Sequence, residues 1–243
     1  MYTIMYMRRK MIYKSHAHLA ITIGVVLMPF LFLLLFSQVA HIATGKLFTD
    51  VFISLWRLMV AYAISVILAW LLAIAFYRGK RADVALPAFD LLQSFPTFAL
   101  LPLATYFMGA TDGTVIFFLV ITVMWPILFA ILSSLKLIRG EWYEAVQMSR
   151  LKGWNYFRYF LLPISIPGLV TGSIVGLGEG WEALVATEIV IGMQSGLGSF
   201  FGTFSNNMRI TGFGILGLLL LIFSMNKLVW LPLLEWSHKK MEE

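Results

Sequence analysis

The stretch Arg139-Gly140-Glu141-Trp142-Tyr143-Glu144-Ala145-Val146-Gln147-Met148-Ser149-Arg150 is charged, and it lies between two long apolar runs, Thr114 to Ile138 and Pro163 to Ile191. An α-helix crosses a bilayer core with about 20 apolar residues, so each flanking run is long enough to span. The charged segment between them, Arg139 to Phe160, is too long for a simple turn. Trp142, Ala145, Val146 and Ser149 recur at helical spacing on one side, while Glu141, Glu144, Gln147 and Arg150 lie on another. Gly153 breaks the pattern, and Trp154, Tyr156, Phe157, Tyr159 and Phe160 follow. The pattern predicts a short helix, a turn and an aromatic segment at headgroup level. Pro163 suits the first turn of the next helix, where its missing N–H costs little. On these residues alone two readings stand. One is a docking surface for a partner protein. The other is an amphipathic helix lying on the membrane surface.

Composition supports the membrane. Hydrophobic residues make up 60% of the chain and charged residues 12%, where a soluble domain carries about 25% charged residues. Mean hydropathy is +0.87. A chain of 243 residues has room for about six spans with their loops, and no polar stretch is long enough for a second, soluble domain. There are no cysteines, which excludes disulfides, thiolate metal sites and cysteine nucleophiles. The four histidines show no metal-ligand spacing, and no Ser/His/Asp nucleophile arrangement is visible.

The spans read as Leu19 to Ala40, Phe52 to Phe76, Leu86 to Met108, Thr114 to Ile138, Pro163 to Ile191 and Phe213 to Leu234. The first is too long for a signal-peptide core and reads as a retained span. Gly192 to Ile210, rich in Gly, Ser and Asn, is not a span. The net charge of +6 is topological rather than a nucleic-acid footprint, because the basic residues sit at the ends of apolar runs. With the N-terminus in the cytoplasm, Arg8, Arg9, Lys10, Lys14, Arg78, Lys80, Arg81, Lys136, Arg139, Arg150, Lys152, Arg158, Lys239 and Lys240 all lie inside. Only Lys46 and Arg209 lie clearly outside, so six spans with both ends inside is expected. Arg57 and Lys227 fall within spans, where each must snorkel or pair.

Pro96 and Pro102 interrupt the third span and Pro126 the fourth, while Pro163 and Pro167 open the fifth. Such breaks survive in lipid as simple kinks, or as bends lining a path where protein or water satisfies the freed carbonyls. Three acids lie in the fifth span, Glu179, Glu182 and Glu188. Glu179 and Glu182 are three apart and share a helix face. Intramembrane acids face protein or water, so these are candidates for a path or gate with Trp181, or for structural bonds to a neighbouring span. Two acids on a path favour a cationic or zwitterionic solute.

Glu144-Ala145-Val146-Gln147-Met148-Ser149, followed by Trp154, Phe157 and Leu162-Pro163, resembles the cytoplasmic "EAA" loop of binding-protein-dependent ABC importer permeases. That pattern is Glu-Ala-Ala, three residues, Gly, about nine residues, an aliphatic residue, one more and Leu-Pro. Val146 replaces the second Ala and Phe160 the aliphatic residue. Arg150 stands at the Gly that turns between two short helices, and Gly153 offers an alternative turn three residues on. Ser54-Leu55-Trp56-Arg57-Leu58 is similar to the start of the family's core. Leu91-Leu92-Gln93-Ser94-Phe95-Pro96 with Leu100-Leu101-Pro102-Leu103 resembles the nitrate/sulfonate/taurine branch. So do Gly180-Trp181, Ala186-Thr187-Glu188 and Gly196-Leu197-Gly198. Glu188 thus matches a family position, while Glu179 and Glu182 are the more individual feature.

The resemblance covers Phe52 to Leu234 and implies an all-α integral membrane protein with the type I ABC importer permease fold. It implies a cytoplasmic segment 1–18, a permease domain 19–234 with a coupling segment 139–160, and a cytoplasmic tail 235–243. Coupling is expected at Glu144, Ala145, Val146, Arg150, Gly153, Leu162 and Pro163. The path is expected at Pro96, Pro102, Glu179, Trp181, Glu182 and Glu188. The implied partners are two ATPase subunits, a second permease copy, an extracytoplasmic binding protein and the lipid bilayer. The chain has no G-x-x-x-x-G-K-[ST] loop, so ATP and Mg belong to the partner ATPase and no cofactor is expected here. The branch implies a small anion such as nitrate, sulfonate or bicarbonate, against the cation suggested by the acids. The rival class is an ion-coupled secondary transporter using Glu179 and Glu182, which needs no "EAA" loop. A further rival is an intramembrane enzyme built on the same acids.

Overall fold

The computed structural model describes residues 22–138 and 140–242, and among these the regular structure is helical throughout. Leu19, the basic residues Arg8, Arg9, Lys10 and Lys14, and Arg139 lie outside the described residues. In chain order the helices begin with α1 (Thr22–Val39), α2 (Thr44–Phe76), α3 (Lys80–Gln93), α4 (Leu101–Met108) and α5 (Asp112–Lys136). They continue with α6 (Gly140–Met148), α7 (Gly153–Tyr156), α8 (Leu162–Ile191), α9 (Leu197–Thr203), α10 (Met208–Met225) and α11 (Leu231–Glu242). Among the described residues five runs are long and apolar enough to cross a membrane: α1, α2, α5, Gly153–Ile191 and Met208–Ser237. The pair α3 and Thr97–Met108 makes a sixth if its two arms count as one span.

That pair carries the break expected at Pro96, and its arms meet at 70°. Pro96 is the cause: it donates no backbone hydrogen bond and pushes Phe95 away from helical geometry. A single turn of 3₁₀ helix, Thr97–Leu100, restarts the chain before α4. Other boundaries move as well, and the last span begins at Met208 rather than Phe213. The helix α2 starts at Thr44 rather than Phe52, and Asp50, in the expected polar link, is buried on it and accepts a hydrogen bond from the Gly196 N–H at 2.9 Å. The aromatic segment before Pro163 is helical and continuous with α8, through a π-turn at Phe157–Leu161. A wider turn accommodates the proline, whose ring clashes with the carbonyl four residues back in a regular helix.

The helix α5 is the central element, with Val123, Ile127, Leu128 and Ile131 fully buried. Its contact with α8 runs along Gly168, Gly172, Gly176 and Gly180, one glycine every four residues and so on one face of the helix. A Cβ at Gly172 would lie 2.6 Å from the Ile127 Cα, and one at Gly176 would lie 2.9 Å from the Val123 carbonyl oxygen. A Cβ at Gly168 would collide with the Ala130 carbonyl. Lipid supplies no hydrophobic drive between helices, so close backbone packing of this kind is what holds such pairs. Hydrogen bonds tie α2 to α8 across the bundle, Tyr62 to Ser173 at 2.9 Å and Trp70 Nε1 to Ser165 at 3.0 Å.

Candidate functional site

At one end of the bundle α6, a turn and α7 form an exposed appendage. Tyr143 and Val146 are half-buried and pack on the core, with the Tyr143 ring 5.7 Å from Phe160. Trp142 and Ser149, expected on that face, are exposed instead. The Tyr143 ring sets the helix rotation, because it meets both Phe160 and the Arg78 guanidinium. Glu144 and Gln147 point outward and Ala145 lies on the α6 backbone. Arg150 takes the left-handed conformation at φ 50°, and Gly153 does so at φ 55°. The turn therefore stays at Arg150, although a non-glycine residue is disfavoured there. Leu162 is half-buried, and Pro163 sits exposed in the first turn of α8.

Toward the other end, Arg57 of α2 is 2% exposed and Glu188 of α8 is 0% exposed. Arg57 Nη1 donates to Glu188 Oε1 at 2.5 Å and to the Ser195 carbonyl at 2.9 Å. Its Nε and Nη2 donate to Asp112 Oδ1 at 2.9 and 2.6 Å. Glu188 also accepts from Ser54 Oγ at 2.8 and 2.9 Å and from the Gly198 N–H at 2.8 Å. The loop between α8 and α9 is thereby clamped onto α2. Gly196 lies at φ 108°, and a Cβ there would meet Glu188 Oε1 at 2.6 Å and Arg57 Nη1 at 2.7 Å. Sequence reading left Arg57 between snorkelling and pairing and gave no role to Asp50, Ser54 or Asp112. An arginine inside an apolar span was the available signal that an acid lay opposite.

Glu179 and Glu182 are exposed on a stripe of α8 that includes Thr171, Val175 and Gly178. Glu182 lines a cavity of about 640 Å³ between α8, α9 and α10, with Trp181 and Phe201 in its wall. Glu188 is separated from these two acids: its carboxylate is enclosed in the Arg57 cluster rather than open to any cavity. Trp181 is 3% exposed and belongs largely to the core. Pro96 and Pro102 are exposed at the bend between α3 and α4. Among the described residues no group of His, Asp or Glu could hold a metal ion.

Residues 61–231 match the family described as binding-protein-dependent transport system inner membrane component. The chain is 30% identical over 179 residues to the Nitrate import permease protein NrtB of Synechocystis sp., covering 70% of this chain and 65% of that protein. It is 30% identical over 185 residues to the protein of the same name from Leptolyngbya laminosa, covering 72% and 65%. It is 29% identical over 155 residues to the Bicarbonate transport system permease protein CmpB of Synechocystis sp., covering 63% and 55%. The matched region thus spans less than two thirds of these relatives' own length.

Proposed function

The chain belongs to the family of inner membrane components of binding-protein-dependent transport systems, and from that premise we propose that it is the permease subunit of an ATP-driven importer for a small anion such as nitrate, sulfonate or bicarbonate. The observation that carries this reading is the exposed α6–turn–α7 appendage bearing Glu144 outward. It sits where the family resemblance places the loop that seats a motor. Two copies of a separate ATPase supply hydrolysis with ATP and Mg, and an extracytoplasmic binding protein delivers the solute. The names of the nitrate and bicarbonate relatives favour an oxyanion. The ion-coupled alternative has no use for such an appendage.

The pore is a dimer of this chain, with both termini cytoplasmic. Support comes from the broken α3–α4 pair and the acid-bearing stripe of α8, which one copy leaves uncovered. An intramembrane acid costs a few kcal/mol unless it meets water or a partner, and a central path supplies both. In that dimer Glu182 faces the path. The reading is tested by reconstituting the chain with its ATPase in liposomes and following uptake of labelled nitrate or bicarbonate. Uptake that requires ATP and the binding protein supports it, and uptake by the chain alone overturns it. The dimer is tested with Glu182→Cys in this cysteine-free chain. Labelling by a membrane-impermeant thiol reagent during the ATP cycle is expected. Reaction only with lipid-soluble reagents refutes the path assignment.

A further inference from the structure

At the end of the bundle that carries α6, a cavity of about 780 Å³ opens between the end of α2, the start of α3 and the α6–α7 turn. Four basic residues line it, Arg78, Arg81, Arg150 and Lys152, and no carboxylate does. Among the described residues the only ion pairs are the two made by Arg57 at the other end, so these four cations have no carboxylate partner there. Ring contacts hold one of them in place. Arg78 lies over the Tyr143 ring at 5.2 Å and the Tyr77 ring at 5.8 Å, which fixes its guanidinium beside the opening. The Tyr143 hydroxyl holds the Arg78 pKa above the ordinary arginine value. The Tyr77 and Tyr156 hydroxyls meet at 3.2 Å in the wall. Arg150, which lines the cavity, stands at the left-handed turn between α6 and α7.

Four like charges around one space repel, and an anion between them removes that cost. We propose that this cavity binds the phosphate of an anionic phospholipid headgroup. Guanidinium forks and tyrosine hydroxyls suit phosphate oxygens, and the volume is that of a small-ligand pocket. Depth favours the lipid as the source. The cavity lies just past the end of the apolar helix α2 at Phe76 and beside the start of the run Gly153–Ile191. The exposed rings of Trp154 and Tyr159 lie on the same segment, as interfacial aromatics do. Basic pockets between helices at this level hold anionic headgroups, at about 1 kcal/mol per basic residue. The proposal goes beyond the import reading and does not depend on it.

The test is lipid binding to the purified full chain in detergent, followed by native mass spectrometry with phosphatidylglycerol and phosphatidylcholine. Selective retention of phosphatidylglycerol is expected. In Arg81→Gln/Lys152→Gln its affinity is expected to fall about thirty-fold. Arg209→Gln, at the other end of the bundle, is expected to leave it unchanged. Melting temperature and elution volume report whether the double variant folds. If it does not, Arg81→Lys/Lys152→Arg keeps the charge and is expected to keep the selectivity. Equal retention of both lipids by the wild-type chain, or full selectivity in a folded double variant, overturns the proposal. Two further arms separate the sources. Displacement of the lipid by excess inorganic phosphate, with the same dependence on Arg81 and Lys152, assigns the cavity to free phosphate and overturns the lipid. Loss of phosphatidylglycerol when the partner ATPase is added assigns it to an acidic group of that subunit and equally overturns it.

Discussion

Arg57 has two acidic partners whose worth differs, and substitution separates them. Glu188 is 0% exposed and bonded at 2.5 Å, while the Asp112 side chain is 66% exposed although bonded at 2.6 Å. Opposite charges with centres about 4 Å apart attract by about 4 kcal/mol at an effective dielectric of about 20. That agrees with the roughly 3–5 kcal/mol lost when one member of a buried pair is removed. An exposed pair contributes about 0–1 kcal/mol. Arg57→Met is therefore expected to lower the melting temperature in detergent by about 6–20 °C, at about 2–4 °C per kcal/mol for a chain of this size. Asp112→Asn is expected to lower it by no more than about 4 °C. The decisive variant is Arg57→Met/Glu188→Gln. The glutamine amide oxygen, set at the Oε2 position, still accepts from Ser54 and the Gly198 N–H, and the charge stranded at position 188 is gone. The double variant is expected to recover more than half of the single variant's loss. A double variant as unstable as the sum of its two single changes would refute the assignment of the penalty to a stranded Glu188 carboxylate.

Three further outcomes follow from other parts of the molecule. On the proposed docking role of α6, Glu144→Arg is expected to leave the chain folded but to uncouple ATP hydrolysis from uptake in the reconstituted complex, because charge reversal removes complementarity at that surface; coupled transport at the wild-type rate would count against the docking role. Gly172→Leu sets side-chain atoms where the Ile127 backbone lies, and is expected to lower the melting temperature by about 5 °C or more in the same detergent assay. Arg150→Gly is expected to raise it by about 2–4 °C, since glycine relieves about 1 kcal/mol of left-handed strain at φ 50°; an unchanged value would mean the turn relaxes at no cost.

The acids of α8 show how far the sequence reached. Run lengths placed the spans, because the bilayer sets them, and the prolines marked where helices break. The 70° bend was not legible, since its angle depends on what α3 and α4 pack against. No local pattern joined Arg57 to its partner 131 residues away, although the positions of both were readable. The division among the three acids, by contrast, was present in the numbering. Glu179 and Glu182 are three residues apart and share a face. Glu188 is nine residues beyond Glu179, about two and a half turns at 3.6 residues per turn, and so points from the opposite side of the helix. If one face meets the path, the other meets the bundle. An acid turned into the bundle needs a buried cation, and Arg57 is the arginine set within a neighbouring apolar span. The same step accounts for Gly196 and Gly198, whose loop must approach the pair too closely for any side chain. Glu188 therefore holds the loop after α8 in place, and Glu179 and Glu182 are left on the exposed face of the same helix, where burial against lipid would require water or a neutralising partner.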